Sequence, residues 1–265
     1  LSVGANFSYL YGDITHQSMT TIGATDTRSI KLDKFSISDY KLDFGLQYTY
    51  KLNKKNTINI GAVYTLGRTL HGDAYKYHQT GAESNGSIYV QSQTGDTIPN
   101  PFKMPHTFGI GLTYVYDNRL TIGVDYTLQK WNTADLAWSK FNKESVEMNS
   151  RTKIAFGAEF VPSYISHNYL KRIRYRMGAY YSSPYNKVSY TSPDTGTTSF
   201  QDGAREYGVS IGFGLPMFQS KSMLNISGQY IKVSPKFKGL MEENYLRINI
   251  GLTFNERWFM KWKVD

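Results

Sequence analysis

The residues of this chain best suited to chemistry are charged side chains set at every second position within otherwise apolar segments. Nine of them share the polar side of this alternation: Lys41, Asp43, Asp125, Lys153, Glu159, Arg174, Arg176, Glu206 and Arg247. The candidate ligand-binding cations are Lys153, Arg174, Arg176 and Arg247. An arginine can hold a carboxylate through two parallel hydrogen bonds. The alternative is that the acids on the same face neutralise these cations.

A catalytic or metal site is not predicted. The sequence has no cysteine and five scattered histidines, and it contains no nucleophile motif. Asp43, Asp125 and Glu159 could mimic the paired carboxylates of ten-stranded outer-membrane proteases, but no histidine partner is evident. His71 and His78 share a segment with Asp73, which is only a weak indication of a metal. We therefore expect a protein that is not an enzyme and needs no cofactor or metal.

The strands that must position the charged residues show strict apolar/polar alternation. The segment YKLDFGLQYTY (40–50) sets Tyr40, Leu42 and Phe44 on one face, and Lys41 and Asp43 on the other. Successive side chains of a strand point to opposite faces, so this pattern gives one apolar and one polar surface. A soluble sandwich buries its apolar face, whereas a transmembrane barrel turns it to lipid.

Strand length and connection length favour the barrel. The pattern predicts strands at 1–12, 38–51, 56–68, 106–117, 119–130, 151–162, 171–182, 204–215, 222–233 and 244–254. Strands of about 9–11 residues cross a bilayer at a tilt. Short connections alternate with long ones, and the long ones are predicted at 13–37, 69–105, 131–150, 183–203 and 234–243. This alternation is typical of outer-membrane barrels with long extracellular loops. The polar segment 69–105 is predicted to be a mobile loop.

Composition agrees with an outer-membrane location. The chain has 265 residues, a mean hydropathy of -0.45 and 15% aromatic residues. Aromatic side chains suit the interfaces of a bilayer, and outer-membrane lipid is an expected partner. The net charge of +9 comes from scattered lysines and arginines without a long basic run, so no nucleic-acid partner is expected.

Several stretches resemble the FadL/TodX family of outer-membrane transport proteins for hydrophobic compounds. The nearest is IPNPFKMPHTFGIGLTYVYDNRLTIGVDYTLQKW (98–131). It has the proline-marked lead-in, glycine-rich strand, tight turn and final tryptophan of that family. The positions concerned are Pro99, Pro101, Pro105, Gly109, Gly111, Asp125 and Trp131. FGAEF (156–160), YRMGAYYSSPYN (175–186), YGVSIGFGLPM (207–217) and the C-terminal end continue the resemblance.

The resemblance implies an all-β, antiparallel transmembrane β-barrel with about ten strands here, as part of a fourteen-stranded barrel. Residues 1–265 would form a single barrel domain that lacks the family's N-terminal hatch and first strands. A smaller closed barrel is the alternative. The implied function is passive uptake of long-chain fatty acids or other hydrophobic small molecules across the cell outer membrane. A non-transport barrel, serving as a scaffold or shuttle with a protein partner in an envelope complex, remains the alternative.

Overall fold

The protein is built almost entirely of antiparallel strands. A computed structural model describes residues 1–22, 27–84, 87–134, 147–191, 197–217, 222–235 and 241–254. Its strands are β1 (Ser2–Ile22), β2 (Thr27–Lys51), β3 (Asn56–Thr65), β4 (Arg68–Thr69), β5 (Gly72–Ser84), β6 (Ser87–Pro99), β7 (Lys103–Met104), β8 (Thr107–Tyr116), β9 (Leu120–Gln129), β10 (Arg151–Phe160), β11 (Arg174–Ser182), β12 (Lys187–Thr191), β13 (Thr198–Asp202), β14 (Ala204–Pro216), β15 (Met223–Pro235) and β16 (Glu243–Thr253). Among these residues, helical structure is limited to a 3-10 turn (Trp131–Thr133) and a four-residue helix, α1 (Tyr169–Arg172). No helix in the described part of the chain is long and apolar enough to cross a membrane.

One twelve-stranded sheet contains every long strand. Its order is β16-β15-β14-β11-β10-β9-β8-β3-β2-β5-β6, and β1 pairs with β2 beside this path. The pairs β4–β7 and β12–β13 form two small separate sheets. Among the described residues β1 and β16 each pair with one neighbour, so the sheet is not closed. The antiparallel architecture of an outer-membrane β-barrel is thus confirmed, while the number of strands in a closed barrel stays a prediction.

The ten strands predicted from alternation are all present, as β1, β2, β3, β8, β9, β10, β11, β14, β15 and β16. The turn between β8 and β9 shows how tightly some are joined. Asp117 and Asn118 have positive φ angles of 48° and 53°, and the Arg119 amide donates to the Tyr116 carbonyl at 2.8 Å. Two consecutive residues with positive φ form the turn that matches the twist of a hairpin.

Two segments predicted as long loops are instead strands. Residues 13–22 continue β1, residues 27–37 open β2, and β5 and β6 within 69–105 form a paired hairpin with a bulge at Thr80/Gly81. The prediction that 13–37 and 69–105 are loops without strands was therefore wrong. The end of β1, the start of β2, and the β5–β6 hairpin carry polar residues on both faces. All of them lie beyond the ten-residue span of β3. Alternation disappears where neither face meets lipid.

The β2 strand changes its neighbour at the end of this span. Its second half pairs with β3 up to Asp43–Thr65, and its first half pairs with β5 from Ile37–Gly72 onward. Asp39 lies buried between the two partners, with 3% of its side chain exposed. Its carboxylate accepts a 2.8 Å hydrogen bond from the His71 amide and lies 3.3 Å from a guanidinium nitrogen of Arg68. This cluster ties the β3–β5 connection to β2 where the sheet divides.

The outward face of the sheet is apolar and uncovered. Exposed fractions include 58% for Ile110, 58% for Ile211 and 77% for Leu246. The fully buried side chains of the described residues are few, with Val161 and Pro101 the largest. A water-soluble protein rarely exposes a continuous apolar surface of this kind. The arrangement therefore suits lipid on the outside and places the charged residues of the alternating pattern inside.

Candidate lumenal site

The four predicted ligand-binding cations all project from the inward face, but they fall into separate groups. Arg174 and Arg176 lie on β11 near the end of the sheet where the short turns are. The register places Arg176 opposite Glu159 of β10. Lys153 and Arg247 lie further towards the other end, on β10 and β16. The structure therefore does not bring the four cations into one site.

Arg174 and Arg176 share one carboxylate. Arg174 donates to Glu159 Oε1 at 2.9 Å, and Arg176 Nε donates to Glu159 Oε2 at 2.6 Å. Arg176 also donates to Asn225 Oδ1 at 2.7 Å, which links β11 to β15 across β14. The exposed fractions of the three charged side chains are between 26% and 37%. Because both guanidinium groups are already bound to Glu159, their charge is less available to a ligand carboxylate.

A second polar cluster lies towards the end of the lumen that is predicted to be extracellular. The Tyr180 hydroxyl donates to Glu206, and Arg151 approaches the same carboxylate at 4.0 Å while donating to Ser182 at 2.8 Å. Lys153 Nζ lies 4.7 Å from the centre of the Tyr180 ring. Arg151 was not predicted as a site residue, although it has the same inward parity as Lys153 in the predicted strand 151–162.

Lys153 and Arg247 are the inward cations that remain without an acid. Neither forms an ion pair within the described part of the chain. Both act electrostatically near Tyr180, Lys153 over its ring and Arg247 on its hydroxyl. Because no acid of the described part of the chain pairs with these two cations, this half of the lumen can attract an anionic group.

The three acids considered as a carboxylate site are far apart. Asp43 is paired with Lys41 at 2.7 Å and accepts from Thr65 at 2.6 Å. Glu159 forms ion pairs with Arg174 and Arg176, and Asp125 lies opposite Gly111 of β8. The register puts Asp43 and Asp125 on different strands and different rows. Within the described residues no group of three His, Asp or Glu side chains could hold a metal.

Four glycines leave the lumenal wall beside Asp125 without side chains. Gly4, Gly45, Gly61 and Gly111 line a shallow cavity of about 440 Å³ together with the Asp125 side chain. A Cβ at Gly111 would lie within 2.4 Å of the Asp125 carboxylate, so this glycine makes room for the acid. The strand register sets these four glycines side by side on the inward face. The wall is open, and its polar groups do not converge on one point.

Comparison with known families decides the assignment. The family model for BamG matches residues 1–265, which is the whole chain. The chain belongs to the BamG family. No curated protein matches the BamG-family chain significantly.

Two solved structures are similar to this BamG-family member. The CymD monoaromatic hydrocarbon channel has 13% identity and a TM-score of 0.47, with 88% of this chain and 64% of the channel covered. The RagAB peptide importer, in a closed-closed state, has 12% identity and a TM-score of 0.38, with 90% of this chain and 35% of the importer chain covered. The chain thus spans less than two thirds of the length of either structure.

The BamG family and the outward apolar sheet place the protein in the outer membrane, as predicted. The prediction that the chain belongs to a family of outer-membrane barrels is confirmed. The specific resemblance to FadL/TodX stays a prediction.

Proposed function

We propose that this chain is a structural subunit of an outer-membrane complex that assembles β-barrel proteins. The family name BamG indicates a role in barrel assembly. The observation that carries the proposal is the Arg174–Glu159–Arg176 cluster, in which both arginines are bound to an acid of the same sheet. Arginines held in this way stabilise the wall rather than a solute. The protein would act through its surfaces and carry out no chemistry of its own.

The part of the sheet beyond the membrane supports the same proposal. β1, β2, β5 and β6 form a paired platform outside the ten-residue span of β3. A folded platform presents a defined surface to a protein partner, and it loses less entropy on binding than a disordered loop would. A scaffold needs such a surface to bind its partner, whereas a simple pore does not.

Depletion of the full-length protein in its native host tests the proposal. We expect outer-membrane barrels in general to decline in quantitative proteomics of the outer membrane, while periplasmic precursors accumulate. Re-expression of a Lys153→Ala/Arg247→Ala variant should restore barrel levels, because the scaffold does not use these cations. Normal barrel levels after depletion would contradict the proposal.

A second function is favoured by one specific observation. Lys153 and Arg247 have no acidic partner within the described residues, which suits passage of a hydrophobic compound with an anionic group, such as a fatty acid. In that case the route would be passive, with the cations attracting the carboxylate by charge. The same variant distinguishes the two functions, since Lys153→Ala/Arg247→Ala would then impair uptake while barrel levels stay normal.

Mass spectrometry of solvent extracts from the purified full-length protein provides the direct readout for this second function. A stoichiometric fatty acid that the Lys153→Ala/Arg247→Ala variant loses would support transport. A matched Lys54→Ala/Lys55→Ala variant removes the same charge from the β2–β3 turn and should keep the compound. An empty lumen in the unaltered protein would count against transport.

A further inference from the structure

Charged residues are almost absent from the outward face of the sheet. Along β3, β8–β11 and β14–β16 the outward positions are apolar or aromatic, with a few small or amide side chains. The described exceptions are Arg205 and Lys232, with Lys130 directly after β9. All three are cations. The acid Glu242 lies directly before β16 with the same parity and pairs with Lys232, so this end of the lipid-facing surface carries a net positive charge, which points to an anionic partner.

The three cations share one end of the sheet. Lys130 begins the β9–β10 connection, Arg205 follows the β11–β14 connection, and Lys232 precedes the β15–β16 connection. These are connections on the side predicted to be extracellular, opposite the turns at 52–55 and 117–119. The outward face at the other end carries no charged residue on these strands. The cations therefore lie at the level of the outer leaflet.

Arg205 and Lys232 form a pair on adjacent strands. Arg205 is opposite Ser234, and Lys232 is opposite Tyr207, so the two cations are diagonal neighbours on one face. Diagonal neighbours in an antiparallel sheet are about 7–8 Å apart at the backbone, which long side chains bridge easily. Two converging cations at this separation can contact different oxygens of one phosphate.

The immediate surroundings suit a headgroup. Tyr207 and Tyr230 lie next to the pair towards the membrane centre, with exposed fractions of 42% and 45%. Tyrosine is enriched at the level of lipid headgroups. Arg205 has no acidic partner among the described residues, whereas Lys232 is held by Glu242 at 2.7 Å. Glu242 would therefore compete with a bound anion at one of the two cations.

We propose that Arg205 and Lys232 bind a phosphate on the headgroup of an outer-leaflet lipid. Arginine engages phosphate through two hydrogen bonds, while lysine adds a compact positive charge. Lys130, whose Nζ lies 5.5 Å from the centre of the outward Phe108 ring, provides a further contact along the same leaflet. The site is independent of the function proposed for the lumen.

Native mass spectrometry of the purified full-length protein tests the site. The probe is diphosphorylated lipid A, compared with the same lipid after enzymatic removal of its phosphates. We expect Arg205→Gln/Lys232→Gln to bind the phosphorylated lipid about tenfold more weakly. Each cation near a membrane surface strengthens the binding of an anionic headgroup about threefold or more, and the variant loses two of them. Lys54→Gln/Lys55→Gln, with the same change in charge at the opposite end, should bind like the unaltered protein. Glu242→Gln should bind more tightly because Lys232 is released.

Three results would overturn the proposal. The first is equal binding of phosphorylated and dephosphorylated lipid by the unaltered protein. The second is an equal loss in the Lys54/Lys55 control, which would indicate nonspecific attraction. The third is full competition by inorganic phosphate at millimolar concentration, which would identify a site for free phosphate. Arg205→Lys/Lys232→Arg keeps both charges and should retain binding, which separates lost binding from lost folding.

Discussion

At the scale of single residues, Arg174 and Arg176 are paired with an acid on the inward face, whereas Lys153 and Arg247 are not. The inward parity of Lys153, Arg174, Arg176 and Arg247 could be predicted from alternation alone. Their partners could not, because the match of Arg176 with Glu159 depends on the β10–β11 register. A sequence states which face a side chain occupies, whereas register decides which charges meet.

Loss of the shared carboxylate should destabilise the lumen. Glu159→Gln leaves Arg174 and Arg176 side by side without their common acid. Because two donors lose a charged acceptor, we expect the free energy of unfolding in lipid vesicles to fall by about 1–3 kcal/mol. Addition of Arg174→Gln to this variant should recover part of the loss, since it removes one uncompensated cation. Purely additive losses in this double-mutant cycle would show that the cluster is not coupled.

Asp39 should make the extracellular part of the sheet sensitive to acid. Burial raises the pKa of the Asp39 carboxyl, but hydrogen bonds from the His71 and Tyr40 amides and from the His71 ring lower it. The charge of Arg68 lowers it further, so the net pKa lies below the ordinary value of 3.8. A carboxyl whose pKa is lowered by folding stabilises the protein above its unfolded pKa, and this stability is lost as pH falls through the folded pKa.

The melting temperature of the detergent-solubilised protein reports this dependence. We expect the melting temperature to fall between about pH 5 and about pH 2, and to fall less in Asp39→Asn, which has no carboxyl to protonate. Asp13→Asn alters an exposed acid of β1 and should follow the unaltered protein. An unchanged acid response in Asp39→Asn would rule out this carboxyl as the source.

At the scale of elements, the membrane-crossing strands were predictable and the others were not. For β8 the predicted span was 106–117 and the observed strand is Thr107–Tyr116. The contrast between lipid and a polar lumen imposes alternation on such strands. The β5–β6 hairpin lies beyond the span of β3, and segments such as QSQTGDT (91–97) show no alternation of apolar and polar residues.

A glycine on β14 shapes the neighbouring element. A Cβ at Gly208 would lie 2.0 Å from the Tyr180 ring, which lies across this position from β11. Gly208→Ala should therefore displace the ring and break the Tyr180–Glu206 hydrogen bond, lowering the free energy of unfolding by about 1–3 kcal/mol. The measurement is urea unfolding in vesicles.

Gly157 provides the matched control for Gly208. It also lies on the lumenal face, but a Cβ there would meet nothing within 4 Å. Gly157→Ala should leave stability unchanged or raise it slightly. Equal destabilisation by the two substitutions would show that backbone flexibility, rather than the Tyr180 ring, explains the effect.

At the scale of the whole molecule, one sheet spans two environments. The strand β2 has 25 residues and β3 has 10, so the sheet continues well beyond the membrane at one end. The number of strands in the closed barrel could not be predicted from alternation. Alternation identifies the two faces of each strand, but it does not identify the strands that pair to close the barrel.

The orientation of this sheet can be measured in intact cells. The chain has no cysteine, so single cysteines can be introduced without interference. A cysteine at Asp96 on β6 should react with a membrane-impermeant maleimide in intact cells. A cysteine at Lys54 in the β2–β3 turn should react only after the outer membrane is permeabilised. The reverse pattern would invert the topology and move the Arg205–Lys232 pair to the inner leaflet.

The division of the sheet at β2 has a consequence for how such proteins diversify. The last residue of β3 and the first of β8, Thr65 and Thr107, are directly paired. The segment between them therefore leaves the β3–β8 pair and returns to it at one point, and its strand β5 pairs with β2. A short turn could close this gap without shifting the register of any membrane-crossing strand. The connection between Thr65 and Thr107 can therefore be shortened or replaced as one unit while the register of the membrane-crossing strands stays the same.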